Sequence, residues 1–173
     1  MKNLILVLLV VSQVFSCSKD ESLDELKKFT DRLNNTVWTY ELSTSTKRFI
    51  RFSDEYVLEF YIQNFSGDKP DGGVYMKLSP GVNISSGKGD EWITEVTVNE
   101  GVNYSFTQKS TKNSSLTEFL PREFNFYYNE TTDILELTFV CYGKGTRILK
   151  RSTNEAIESF NYTQNETNWS TCF

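Results

Sequence analysis

The chain has 173 residues and a formal charge of −5, so it has room for one closed core and an acidic surface. Its basic residues fall in isolated pairs such as Lys27-Lys28 and Lys150-Arg151, which excludes the clustered cationic face of a nucleic-acid binder. It has no histidine and no Cys-x-x-Cys, Gly-rich phosphate loop or Gly-x-Ser-x-Gly elbow, so it reads as a non-enzyme with neither metal nor cofactor.

The first sixteen residues read as an export signal. Lys2 supplies the positive start, Leu4 to Val11 an apolar run too short to span a bilayer, and Val14-Phe15-Ser16 a cleavage context. Residues 17–173 are then the mature domain, with no membrane span. The same leader resembles a bacterial lipobox: Val14-Phe15-Ser16-Cys17 would lipidate Cys17, and Ser18-Lys19-Asp20-Glu21 looks like the charged tag of bacterial surface lipoproteins. The two readings lead to different places, a secreted extracellular protein or a lipid-anchored one.

Ser22 to Leu33 predicts a short amphipathic helix, with Ser22 and Glu25 as a capping box and Leu23, Leu26, Phe29 or Thr30, and Leu33 on one stripe. From Val37 the pattern turns to period two. Strands are expected at Val37–Leu42, Lys47–Phe52, Tyr56–Gln63, Val74–Leu78, Trp92–Val98, Val102–Gln108, Phe124–Tyr128, Leu135–Cys141 and Thr146–Lys150. Ser66 to Gly73 and the Gly/Ser-rich stretch through Gly89 read as loops, Asn99-Glu100-Gly101 as a tight turn and Lys109–Leu116 as an exposed loop. Ser152–Phe160 reads as a second short helix with a Ser152/Glu155 start, followed by a polar tail. The sum predicts a mainly β chain: a single small antiparallel barrel of about eight strands, with a short N-terminal helix and a C-terminal helix and tail.

Nine of the fourteen asparagines stand in Asn-x-Ser/Thr sequons: Asn34, Asn64, Asn83, Asn103, Asn113, Asn129, Asn161, Asn165 and Asn168. Composition alone would supply roughly three, so the excess points to a glycosylated, secreted chain. Among the three cysteines, Cys141 and Cys172 form the preferred disulfide, which would tie the tail to a core strand. A lipidated Cys17 leaves those two as a pair; an unmodified one leaves an odd thiol.

Thirteen Phe, nine Tyr and three Trp give the chain its positive functional signal. Any one of them reads first as packed core, but together they also fit the aromatic lining of a small-molecule pocket. The candidates for such a lining are Trp38, Tyr40, Tyr56, Phe60, Trp92, Tyr104, Phe124, Phe126, Leu137 and Phe139.

The run Leu33-Asn34-Asn35-Thr36-Val37-Trp38-Thr39-Tyr40 resembles the entry into a lipocalin barrel, with a helix, then a Trp early in the first strand, then antiparallel strands and a C-terminal helix. Thr36 stands where lipocalins usually carry Gly. The short, acidic, sequon-rich salivary lipocalins of ticks look most similar, and Cys172 lies near the C-terminus as a cysteine does in them. The resemblance implies that Trp38 packs at the closed end under a basic residue of the last strand, Arg147 or Arg151. It also implies capture of a small hydrophobic or amine ligand (a host mediator, fatty-acid derivative or sterol), or binding of a host protein or receptor. Glu59, Glu95 or Glu136 would be the acid for an amine. The alternatives are a bacterial surface lipoprotein with a lipocalin-like barrel, and a protein-interaction module acting on a host receptor.

Overall fold

The structure, a computed structural model, describes residues 28–53, 55–85, 90–111, 121–141, 143–160 and 162–164. The leader, Cys17, the Ser22/Glu25 capping box, Cys172 and the sequons at Asn113, Asn161, Asn165 and Asn168 lie outside these residues.

Period-two patterning does what it predicts. After helix α1 (Phe29–Leu33) come β1 (Val37–Ser43), β2 (Thr46–Arg51), β3 (Leu58–Ser66), β4 (Lys69–Leu78) and β5 (Gly81–Ser85). Then follow β6 (Asp90–Glu100), β7 (Asn103–Ser110), β8 (Arg122–Asn129), β9 (Ile134–Val140) and β10 (Lys144–Ser152). A one-turn helix α2 (Glu155–Glu158) and a short β11 (Tyr162–Gln164) end the described chain. All lie in one sheet with the order β11-β4-β3-β2-β1-β10-β9-β8-β7-β6-β5. Every neighbouring pair is antiparallel except β11 with β4. The fold is mainly β, as expected, with eleven strands rather than eight, and the order is open: among the described residues no ladder joins its two ends.

The extra strands come from segments read as loops. Ser66 to Gly73 is not a loop: Ser66 pairs with Lys69 and Phe65 with Pro70, so β4 starts directly after a two-residue turn. The Gly/Ser-rich stretch contains β5, which pairs Gly81–Ser85 against Thr94–Asp90. In the tail, β11 runs parallel to β4 and seats the Tyr162 ring so close to Gly73 that a Cβ there would fall 2.7 Å from it. Only the β11–β4 pairing is long-range and leaves no local signature; β3–β4 and β5–β6 are hairpins between neighbouring segments. Ser152 remains in β10, and α2 starts at Glu155 with Asn154 as its N-cap, without a side-chain capping bond.

The sheet curls on itself. Phe52, at the end of β2, meets Tyr104 on β7 and Phe126 on β8 with ring centroids 5.7 and 5.3 Å away, although four strands lie between β2 and β7 in the order. Its concave face therefore packs one core, from Trp38 and Ile50 through Leu58 and Met76 to Leu137 and Leu149. α1 caps one end of this core: Phe29 sits edge-on to Phe52 at 5.1 Å and stacks on Tyr104 at 5.4 Å. Asn99 anchors the helix, accepting from the Thr30 amide at 3.1 Å and donating to its hydroxyl at 3.0 Å.

A second, smaller core lies on the convex face of β1–β3, where Val37, Phe49 and Tyr61 are covered by Ile157 of α2, with Tyr75 and Tyr162 packed alongside. Gln63 fastens that cover, its Nε2 donating to the Ala156 carbonyl at 2.6 Å and the Tyr162 hydroxyl at 2.7 Å.

Candidate functional site

Antiparallel partners share a face, so the ladder register assigns every strand side chain to one side of the sheet. Trp38 pairs with Ile50, Ile50 with Phe60 and Phe60 with Met76; Phe139 pairs with Phe124, and Phe124 with Phe106. Nine of the ten sequence-derived candidates accordingly face the concave side and are buried: Trp38, Tyr40, Phe60, Trp92, Tyr104, Phe124, Phe126, Leu137 and Phe139. The tenth, Tyr56, does not. β3 begins only at Leu58, and Tyr56 precedes the point where the Val57 amide bonds the Leu78 carbonyl. Its ring is turned outward, with the Lys77 ammonium 4.5 Å from its centroid.

The concave face divides into two ends. At the α1 end the rings fill the space: Phe29, Phe52, Tyr104 and Phe126 interlock, and the Tyr104 hydroxyl donates to the Val57 carbonyl at 3.0 Å. Burial pushes the Tyr104 hydroxyl well above the usual tyrosine range. Trp38 is also here. Its Nε1 donates to the Thr36 hydroxyl at 2.9 Å, and that hydroxyl donates to the Leu33 carbonyl at 2.5 Å. Thr36 thus performs a bridging task that glycine could not. Arg151, the register partner of Trp38, lays its guanidinium 4.6 Å from the indole and binds Asp133 at 2.7 Å; Arg147 lies elsewhere.

The other end carries inward cations. Arg48 pairs with Tyr40 and Arg147 with Leu137, which puts both on the concave face. Arg48 Nη1 donates to the Tyr40 hydroxyl at 3.3 Å, and the Arg147 guanidinium lies 5.4 Å from the Phe139 ring centroid. Burial raises the Tyr40 hydroxyl, while the nearby charges of Arg48 and Arg147 oppose the shift. Arg122 pairs with Gln108, which pairs with Thr94; all three are nearly inaccessible, and Arg122 stacks 4.0 Å from Trp92.

The acids lie on the other side. Glu59 is buried on the convex face, held by Arg51, by Lys77 at 3.4 Å and by the Tyr61 hydroxyl at 3.2 Å. Glu95 and Glu136, paired with Thr107 and Tyr127, share that outward parity. None of the three reaches the concave side. Two convex grooves flank Glu59. One, of about 410 Å³, runs between Tyr61, Tyr75 and Tyr162; the other, of about 430 Å³, lies beside Asn34, Tyr56 and Lys77. A polar cavity of about 330 Å³ opens under α1 between Thr30, Tyr56 and Asn99. Among the described residues no group of three His, Cys, Asp or Glu could hold a metal, and no helix is long and apolar enough to cross a membrane.

Cys141, at the end of β9, is disulfide-bonded; its expected partner Cys172 lies outside the described residues. Of the sequon asparagines, Asn64 and Asn103 are exposed, Asn34 is half-buried after α1, and Asn129 accepts from the Thr131 and Thr132 amides to shape the β8–β9 turn. Asn83 lies on β5.

Sequence reasoning missed the inward arginines, although the signal was present. Arg48-x-Ile50-x-Phe52, Arg122-x-Phe124-x-Phe126 and Arg147-x-Leu149 each place the cation in phase with buried residues. The chain matches no protein-family model, no curated protein and no solved structure. Its class therefore rests on its own geometry: a mainly antiparallel β domain whose single sheet curls around an aromatic face plugged at one end by a helix.

Proposed function

We propose that this chain is a secreted, N-glycosylated, lipocalin-like barrel that captures a small apolar ligand on its concave face. The observation that carries the reading is the two-ended concave face. Interlocked rings and α1 close one end, and buried aromatics mixed with a few oriented polar groups form the other, the composition typical of small-molecule sites. The Trp38–Arg151 stack agrees with the resemblance drawn from the sequence. The eleven strands exceed the eight of that architecture; without β5 and β11, short additions at the ends of the order, nine remain. The disulfide at Cys141 suits an oxidising compartment. Capture needs no chemistry: burial of apolar ligand surface supplies affinity, and a preformed site avoids the cost of ordering one.

Native mass spectrometry of the protein from its natural source tests this reading. An adduct of a few hundred daltons, with mass lost on N-glycan removal, is the expected result. The context of Cys17 supports a second reading, a lipid-anchored bacterial surface protein with the same barrel. A diacylglyceryl mass on Cys17 without glycans would establish that reading and remove the host-mediator role. A glycosylated protein that never carries a ligand would instead be an interaction module for a host receptor.

A further inference from the structure

We propose that the captured ligand carries an anionic head group, a carboxylate on a long apolar chain, and that Arg48 and Arg147 beside Tyr40 hold it. This inference rests on the capture reading above and narrows its ligand class from amines, sterols and acids to acids.

The assignment comes from register and chemistry together. Three arginines, Arg48, Arg122 and Arg147, occupy inward positions at the unplugged end, each in phase with core residues of its own strand. Glu59, Glu95 and Glu136, the acids an amine would need, all face outward, and the Asp133 carboxylate is held by Arg151 at the plugged end. An ammonium head group would meet cations there. A carboxylate would meet planar guanidinium forks, which bind it through two parallel charge-assisted bonds.

The three arginines play different parts. Arg122 is committed to the Trp92 ring 4.0 Å away and is almost fully buried. Arg48 and Arg147 are only partly buried, and Tyr40 is bonded to Arg48 and feels the charge of both. A tyrosine hydroxyl donates to a carboxylate as readily as it accepts from a guanidinium. Phe60 and Phe139, under the Arg48 and Arg147 guanidiniums at 5.8 and 5.4 Å, offer the apolar surface against which the first methylenes of the chain would lie.

The test is an equilibrium titration of the folded full-length protein with cis-parinaric acid, its methyl ester and oleylamine, the last by displacement. The acid should bind about 10–100-fold more tightly than the ester and the amine, the range expected for hydrogen bonds to a charged group. Arg147→Gln and Arg48→Gln should each remove most of that preference, and Arg147→Lys should restore part of it. A near-ultraviolet circular dichroism spectrum matching wild type shows that each variant is folded. An ester or amine that binds as well as the acid overturns the anionic head group but leaves capture standing. A preference that survives both glutamine variants overturns the assignment to Arg48 and Arg147. If none of the three probes binds, the capture reading itself fails.

Discussion

Phe52→Leu separates the plugged end of the core from the binding end. Phe52 is fully buried and makes edge-on contacts with three rings: Phe29 at 5.1 Å, Phe126 at 5.3 Å and Tyr104 at 5.7 Å. Each such pair is worth about 0.5–1.5 kcal/mol beyond the area it buries. Leucine keeps most of the apolar transfer energy but forfeits all three ring geometries and leaves a partial void. The loss should be about 2–3 kcal/mol, a large share of the roughly 5–15 kcal/mol that holds an ordinary domain together. Urea unfolding followed by tryptophan fluorescence reads it directly, and the thermal midpoint should fall by roughly 5–12 °C. Ile148→Ala, at an exposed β10 position, serves as control and should stay within about 0.5 kcal/mol of wild type. Affinity for any ligand at the far end should not change in the variant. A Phe52→Leu protein as stable as the control would refute the interlocked plug, and a large loss of ligand affinity would refute the separation of the two ends.

Glu59→Gln should cost about 1–2 kcal/mol, because it removes the charge that Arg51 and Lys77 neutralise while both cations keep some access to water; an unchanged urea midpoint would count against it. In Gly145→Ala the new Cβ would fall 2.4 Å from the tip of the Phe139 ring, so the ring must move and stability should drop by about 1–3 kcal/mol. A crystal structure of that variant with Phe139 unmoved would contradict the close approach. Alkaline unfolding should start above about pH 10, the ordinary tyrosine range. Burial raises Tyr104 and Tyr61 in the folded state, so the stability they contribute is complete below that range and is lost as pH rises beyond it. Tyrosinate absorbance should therefore rise partly in step with the loss of near-ultraviolet circular dichroism; full tyrosine ionisation in a protein that stays folded would disprove the buried hydroxyls. Cys172→Ser should lower stability by roughly 3–4 kcal/mol if that residue partners Cys141 across a loop of about 30 residues, and peptide mapping of the intact disulfide would show another partner if it does not.

Much of the fold was legible because period two has one cause wherever it occurs: a strand with one buried face. Phe124, Phe126, Leu135, Leu137 and Phe139 alternate with polar residues, and β8 and β9 pair as that alternation requires. Tyr56 belongs to the same pattern on paper, yet lies outside β3, because the ladder with β4 begins only at Leu58. The two short β additions, β5 and β11, were hidden for different reasons. Tyr162–Gln164 is too short to show alternation and becomes a strand through its partner β4. Gly81–Ser85 does alternate, with Val82 and Ile84 between polar residues, but lies in a Gly/Ser-rich stretch beside its partner β6.

The amino-acid sequence by itself determined the class of the chain: acidic, without histidine, aromatic-rich and β-patterned, with nine sequons. Local spacing and composition suffice for that, since each is a property of neighbouring residues. Only the tertiary structure decided which side of the sheet each charge occupies. A strand's two faces are equivalent until its ladders form, and one residue of register separates an arginine on the surface from one in the core. The ladders turned Glu59, Glu95 and Glu136 outward and Arg48 and Arg147 inward, and the curl of the sheet joined those two arginines, about a hundred positions apart in the chain, with Tyr40 in one cationic cluster.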